Sequence, residues 1–138
     1  MKDLSNSITL KRVISPVSVA DTTAQVGTAV DRKGFESVTY AIATGSIADA
    51  DATFTVLLQE SDDNSTYTDV ADADLLGTEA LAGFQFDDDN ECRKLGYIGA
   101  KRYTKLTITP VANASAALIS AVAILGHAAV KPTVNPPA

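Results

Sequence analysis

Apolar and polar positions alternate most clearly in two stretches. Over residues 35–44, Val38, Tyr40 and Ile42 share one side, opposed by Ser37, Thr39, Ala41 and Ala43. Over residues 52–61, Phe54, Val56 and Leu58 oppose Thr53, Thr55 and Gln59. A period of two sends successive side chains to opposite sides of a pleat, which predicts two half-buried strands. Gly45-Ser46 and Asp49-Ala50-Asp51 supply turn chemistry between them. Residues 61–65 form a polar tip and 66–70 alternate again, predicting a hairpin with a five-residue loop.

Weaker patterns fill in the rest. A short strand is expected near residues 25–30, between turns at Asp21-Thr22-Thr23 and Asp31-Arg32-Lys33-Gly34. Residues 71–81 predict an irregular loop or one helical turn, and 93–98 a further strand. Residues 102–109 set Leu106 and Ile108 against Lys105, Thr107 and Thr109, a strand expected to stop at Pro110. Residues 116–125 are apolar on both sides apart from Ser120, which fits either a buried strand or a short Ala-rich helix. The β-branched Ile119, Val122 and Ile124 favour the strand.

Both ends of the chain look extended. Ile8, Leu10 and Ile14 mark one side of residues 1–19, and Pro16 limits pairing, so this segment is expected to be an N-terminal arm with edge-strand character. Residues 131–138 carry three prolines and are expected to form an extended tail. Between them, residues 20–130 predict a single all-β domain: an antiparallel β-sandwich of jelly-roll type. Helices and strands do not alternate, which argues against a doubly wound sheet.

Composition agrees with this fold and narrows the function. At 138 residues the chain suits one domain. Asp outnumbers Glu by 13 to 4, and 15 Thr and 12 Val also favour strands and turns. Lys and Arg number 11 against 17 Asp and Glu, a net charge of −6, so a nucleic-acid partner is not expected. No apolar run approaches the ~18–20 residues of a membrane span, and the first residues do not resemble a signal peptide. The expectation is a soluble chain made in the cytosol, without a membrane partner.

Reactive groups are few. His127 is the sole histidine and has no nucleophile or orienting acid beside it in sequence, so it is expected to make a local hydrogen bond or a subunit contact. Cys92 is the sole cysteine; it forms no internal disulfide and completes no zinc set. Asp87, Asp89 and Glu91 have a spacing that suits a hard cation, but the sixth residue from Asp87 is Cys92 and the twelfth is Ile98. A calcium loop needs Gly and Glu at those places. No phosphate-binding loop or nucleophile elbow is present. The chain is therefore expected to be no enzyme, with no catalytic residue, no cofactor and no metal.

Several segments carry a resemblance. They are residues 31–37 (DRKGFES), 41–54, 74–80 (DLLGTEA), 93–99 (RKLGYIG), Lys101-Arg102-Tyr103, 106–110 (LTITP) and 121–127 (AVAILGH). Together they make the chain resemble a group of small proteins encoded in tailed-bacteriophage head gene clusters beside the major capsid protein. Members of that group look like capsid decoration, or cement, proteins on the outside of the shell. The resemblance implies a virion protein partnered by the phage major capsid protein, and a homo-oligomer with a trimer ahead of a dimer. The candidate contact residues are then Lys11, Arg12 and Ile14 on the arm, with the basic pairs Arg32-Lys33 and Lys101-Arg102. A neck or tail-completion protein is the first alternative. A carbohydrate-binding β-sandwich is the second, weakened by 6% aromatic residues and no Trp.

Overall fold

Val38, Tyr40 and Ile42, expected on one side of a strand, are all essentially buried, and so are Phe54 and Leu58 on the next. The computed structural model describes residues 2–137. Met1 of the expected arm and Ala138 of the expected tail lie outside the described residues. The strands are β1 (Thr9–Val19), β2 (Gln25–Val26), β3 (Val30–Asp31), β4 (Phe35–Ile47), β5 (Thr53–Ser61), β6 (Thr68–Asp69), β7 (Leu75–Leu76), β8 (Phe84–Gln85), β9 (Cys92–Tyr97), β10 (Tyr103–Val111) and β11 (Ala117–Ala128). A four-residue helix, α1 (Glu79–Ala82), is capped by the Thr78 hydroxyl, which accepts from the Leu81 amide.

The strands form two antiparallel sheets. One has the order β1-β11-β4-β9-β7; the other runs β2-β10-β5-β6, with β3 also on β10 and β8 also on β5. The chain changes sheet at nearly every connection, as the paired Greek keys of a jelly roll require. The expected fold class is therefore the one observed. The core lies between the sheets, where Tyr40, Ile42, Leu95, Ala123 and Leu125 of the first meet Phe54, Leu58, Leu106 and Ile108 of the second. A polar bond crosses the middle of this core: the Tyr40 and Thr104 hydroxyls lie 2.6 Å apart, both fully buried. Gly27 marks the tightest backbone approach. A Cβ there would lie 2.5 Å from Val13 Cγ1 and 2.7 Å from the Leu106 carbonyl oxygen.

Several expectations change. Residues 9–19 are no outward arm. They form β1, paired along β11 from Thr9↔Leu125 to Val19↔Ala117, and bury Val13, Ile14 and Val19. Register shifts between Arg12 and Ile14 and between Ile14 and Val17 break the alternation, so Leu10 faces out while Ile14 faces in. The edge-strand character was correctly expected. Pro110 lies inside β10, opposite Phe54 of β5, and does not end it. It is tolerated there because β2, on the other side of β10, pairs no further than Ile108. The 116–125 ambiguity resolves as a strand. The hairpin after β5 exists, but its return strand is only Thr68–Asp69 and its loop correspondingly longer. The tail folds back onto the chain: the Thr133 amide donates to the Asn6 carbonyl at 3.0 Å, and its hydroxyl to that of Ile8 at 2.6 Å.

Candidate attachment surface

The seven candidate contact residues fall in two places, and one is excluded. Ile14 is 7% exposed in the core and presents nothing to a partner. Its neighbours on β1 differ: Lys11 is half-buried in a hollow shared with Phe35 and Thr133, and Arg12 is exposed, donating from Nη1 to the Ser15 hydroxyl at 2.7 Å.

The two basic pairs meet in the loops joining β3 to β4 and β9 to β10, and the fold uses them internally. Arg32 donates from Nε to the Lys101 carbonyl and from Nη2 to the Gly99 carbonyl at 3.0 Å, and its guanidinium lies 5.5 Å from the Tyr97 ring centre. Arg102 makes a two-pronged contact with Asp31, at 2.9 and 2.8 Å. That hydrogen bond holds the Asp31 carboxyl down at about 2, against the opposing effect of partial burial. Lys101 pairs with Asp62, which raises its own pKa. Lys33 is exposed, and its amide donates to Asp31 Oδ1 at 3.0 Å. Tyr97 closes the cluster, donating its phenol proton to Glu60 Oε2 at 2.6 Å and accepting from the Lys101 amide at 3.0 Å. Burial is the main cause of its raised pKa, with the Glu60 bond second.

The acidic loop is likewise turned inward. Asp88 pairs with Arg93 at 2.8 Å and accepts from the Gln85 amide; Glu91 pairs with Arg93 at 2.9 Å; Asp89 accepts from the Ile47 amide at 3.0 Å. These carboxylates satisfy backbone donors and one guanidinium. Among the described residues, no three His, Cys, Asp or Glu side chains gather as a metal site. His127 ends the regular pairing of β11 in a left-handed conformation (φ 52°), with Nδ1 2.9 Å from the Ser37 hydroxyl. That is the local hydrogen bond expected of it.

The most distinctive surface is one the sequence hid. Outward positions of the five-stranded sheet include Leu10 on β1, Leu118, Val122 and Ile124 on β11, Thr39, Ala41 and Ala43 on β4, Lys94 on β9 and Leu76 on β7. Leu10, Leu76, Leu118 and Val122 are all exposed. In a chain of net charge −6, the middle rows of this face carry no Asp or Glu and hold Arg12 and Lys94 as their charges; Glu36 is exposed at the start of β4, and Asp3 borders the hollow beside Thr39 and Ile124. The outer face of the other sheet is an ordinary solvated one, with Thr55, Gln59, Lys105, Thr107 and Thr109. A broad apolar face bordered by polar groups marks an interaction site, whereas scattered exposed leucines do not. Residues 116–125 read as apolar on both sides because one side packs the core and the other lies on this face.

No protein-family model and no curated protein sequence matches the chain. Among solved structures, the whole chain superposes on PBSX exported protein XepA with a TM-score of 0.61 at 15% identity. It spans 43% of that protein's length. SPBc2 prophage-derived protein YomS aligns with 85% of this chain and 92% of its own, with a TM-score of 0.44 at 15% identity. A xylan-binding module, CBM15, aligns with 93% of this chain and 95% of its own, at 0.46 and 14%. At such identities the likeness is one of fold alone, the β-sandwich shared with PBSX exported protein XepA.

Proposed function

We propose that this chain is a structural virion protein, a capsid decoration protein that binds the outside of a tailed-phage head and bridges major capsid protein subunits. It works by attachment and not by catalysis. The observation that carries this reading is the apolar outer face of the five-stranded sheet, whose middle rows hold no Asp or Glu and which has the composition of a surface buried in an assembly. The fold shared with PBSX exported protein XepA supports a phage setting. Many weak contacts to a repeating shell add up to firm attachment, so a small rigid sandwich suffices.

A carbohydrate-binding role fits the residues less well. Sugar stacking needs several open aromatic faces; Phe86 is exposed, but Lys105 Nζ sits 4.0 Å from the Tyr67 ring centre and the Arg102 guanidinium 5.0 Å from that of Tyr103. A neck or tail-completion role shares the same chemistry and differs in copy number. Purified particles, resolved on a quantified gel, should hold this chain at a fixed ratio to the major capsid protein, in hundreds of copies. About a dozen copies or fewer would move it to the neck, and its absence from particles would overturn the virion role.

A further inference from the structure

The outer face of the five-stranded sheet is divided lengthwise. Leu118, Val122 and Ile124 of β11, with Leu10 of β1 beside them, make an aliphatic ridge notched at Ser120. Next to it β4 presents Ser37, Thr39, Ala41, Ala43 and Gly45, none larger than threonine. Side chains stand roughly upright on a sheet, so the second band is a trough beside the first, except where Leu118 leans across Gly45. Depressions cross both bands toward their ends. One of about 300 Å³ lies over Ser120, between Ser18 of β1 and Ala43 of β4. Another of about 560 Å³ lies between Thr39 and Ile124 of the sheet and Asp3 and Leu4 of the N-terminal segment.

The geometry points to a second copy of this chain as the occupant, joined face to face about a two-fold axis that runs along the strands between β11 and β4. That rotation lays β11 of one copy over β4 of the other and, by the same operation, β4 over β11. Each ridge enters the opposite trough. A ridge and a trough of matching length on neighbouring strands are what a self-complementary contact requires. A three-fold ring instead joins two different patches, and this face supplies both halves of its own match. The face thus favours the dimer, which the resemblance places behind a trimer. At ~4.8 Å between strands and ~3.4 Å per residue, the face presents roughly 550 Å². The pair then buries roughly 1,100 Å², just above the ~1,000 Å² a specific interface needs.

Charge gives this arrangement a signature. Arg12, Val122, Ala41 and Lys94 lie in one row across the sheet. The axis preserves rows, so Arg12 of each copy meets Lys94 of the other at the rim. Like charges there oppose pairing, and added salt screens them. Contact with an acidic partner surface would show the opposite salt dependence. The pairing rests on the reading of this chain as an assembly protein, but it assigns this face to a second copy and leaves the shell to other surfaces of the pair; it is tested without any capsid, so either can fail alone.

The test is sedimentation of the purified full chain from 1 to 200 µM (roughly the span in which an interface at the ~1,000 Å² threshold dissociates), at low and high salt, with circular dichroism confirming the fold. A reversible dimer is expected, tightening several-fold from low to high salt. Val122→Asp should leave it monomeric, as should Ala41→Gln, which fills the trough without adding charge. Lys94→Glu should tighten the low-salt dimer about five-fold or more, by placing opposite charges at both rims. Alkylation of Cys92, at an outward position on β9 opposite Ala43, should slow as the dimer forms. A monomer at 200 µM, a trimer, a dimer that survives both folded variants, or a Lys94→Glu dimer weaker than the parent would each overturn the proposal. So would a monomer whose binding to purified heads is abolished by Val122→Asp, since the face would then belong to the capsid protein.

Discussion

The hydroxyl pair of Tyr40 and Thr104 bridges the two sheets where no water reaches, and its cost can be taken apart by substitution. Both residues are fully buried, with oxygens 2.6 Å apart, and burial is the main reason the Tyr40 phenol is held well above its ordinary pKa. Thr104→Val leaves the phenol with no listener in an apolar core, a loss of about 2–3 kcal/mol. Tyr40→Phe costs less, about 1–2 kcal/mol, because the Thr104 hydroxyl can turn toward nearby backbone. Removing both gives shape-matched apolar groups and should cost about 1 kcal/mol or less. The singles then sum to about 4 kcal/mol and the double falls some 3 kcal/mol short of that sum, a large coupling for one contact. Urea unfolding at neutral pH measures all four proteins. The midpoint should drop in each single variant with an unchanged slope, and return most of the way in the double. In thermal melts, each kcal/mol corresponds to about 3 °C for a chain of this size. A double variant as unstable as the two singles combined would show that the hydroxyls do not depend on each other, and the reasoning would fail.

Arg32→Met should lower stability by about 2 kcal/mol, because it strips charged donors from the Gly99 and Lys101 carbonyls and the cation from the Tyr97 ring; urea unfolding within 0.5 kcal/mol of the parent would contradict that role. Asp63 is held down at about 2 by the Thr66 and Ser65 amides and then the Ser61 hydroxyl. Its pKa is lower folded than unfolded, so its stabilisation is present above about pH 4 and lost as pH falls toward 2. Asp63→Asn keeps an acceptor in the loop but removes the titration, so its melting temperature should fall less between pH 5 and pH 2 than that of the parent.

The sandwich was legible wherever one side of a strand is buried and the other wet. Val38, Tyr40 and Ile42 against Thr39 and Ala41 is such a case, and so is Phe54, Val56 and Leu58 against Thr53 and Thr55. Legibility failed where the second side is not wet. Residues 116–125 gave no usable period because Val122 and Ile124 face outward onto an apolar surface, and that failure was itself the trace of the candidate site. On β1 the register shifts place Val13 and Ile14 both inward, so a two-residue rhythm puts Leu10 on the wrong side and the strand passes for an arm. The basic pairs misled for another reason. Asp31 precedes Arg32 directly, yet its partner is Arg102, and the ring beneath Arg32 is Tyr97. Neighbours in sequence could not reveal that these charges are spent across the fold.

The contact of Thr133 with Asn6 and Ile8 holds the two terminal segments side by side. A circularly permuted gene, joining those segments through a short linker and opening the polypeptide within the 62–67 loop, should rebuild the same sandwich with every ladder intact. Such a permutant would carry its new ends on a hairpin remote in sequence from β1 and β11, giving a display scaffold whose cargo grows from a different corner of the molecule.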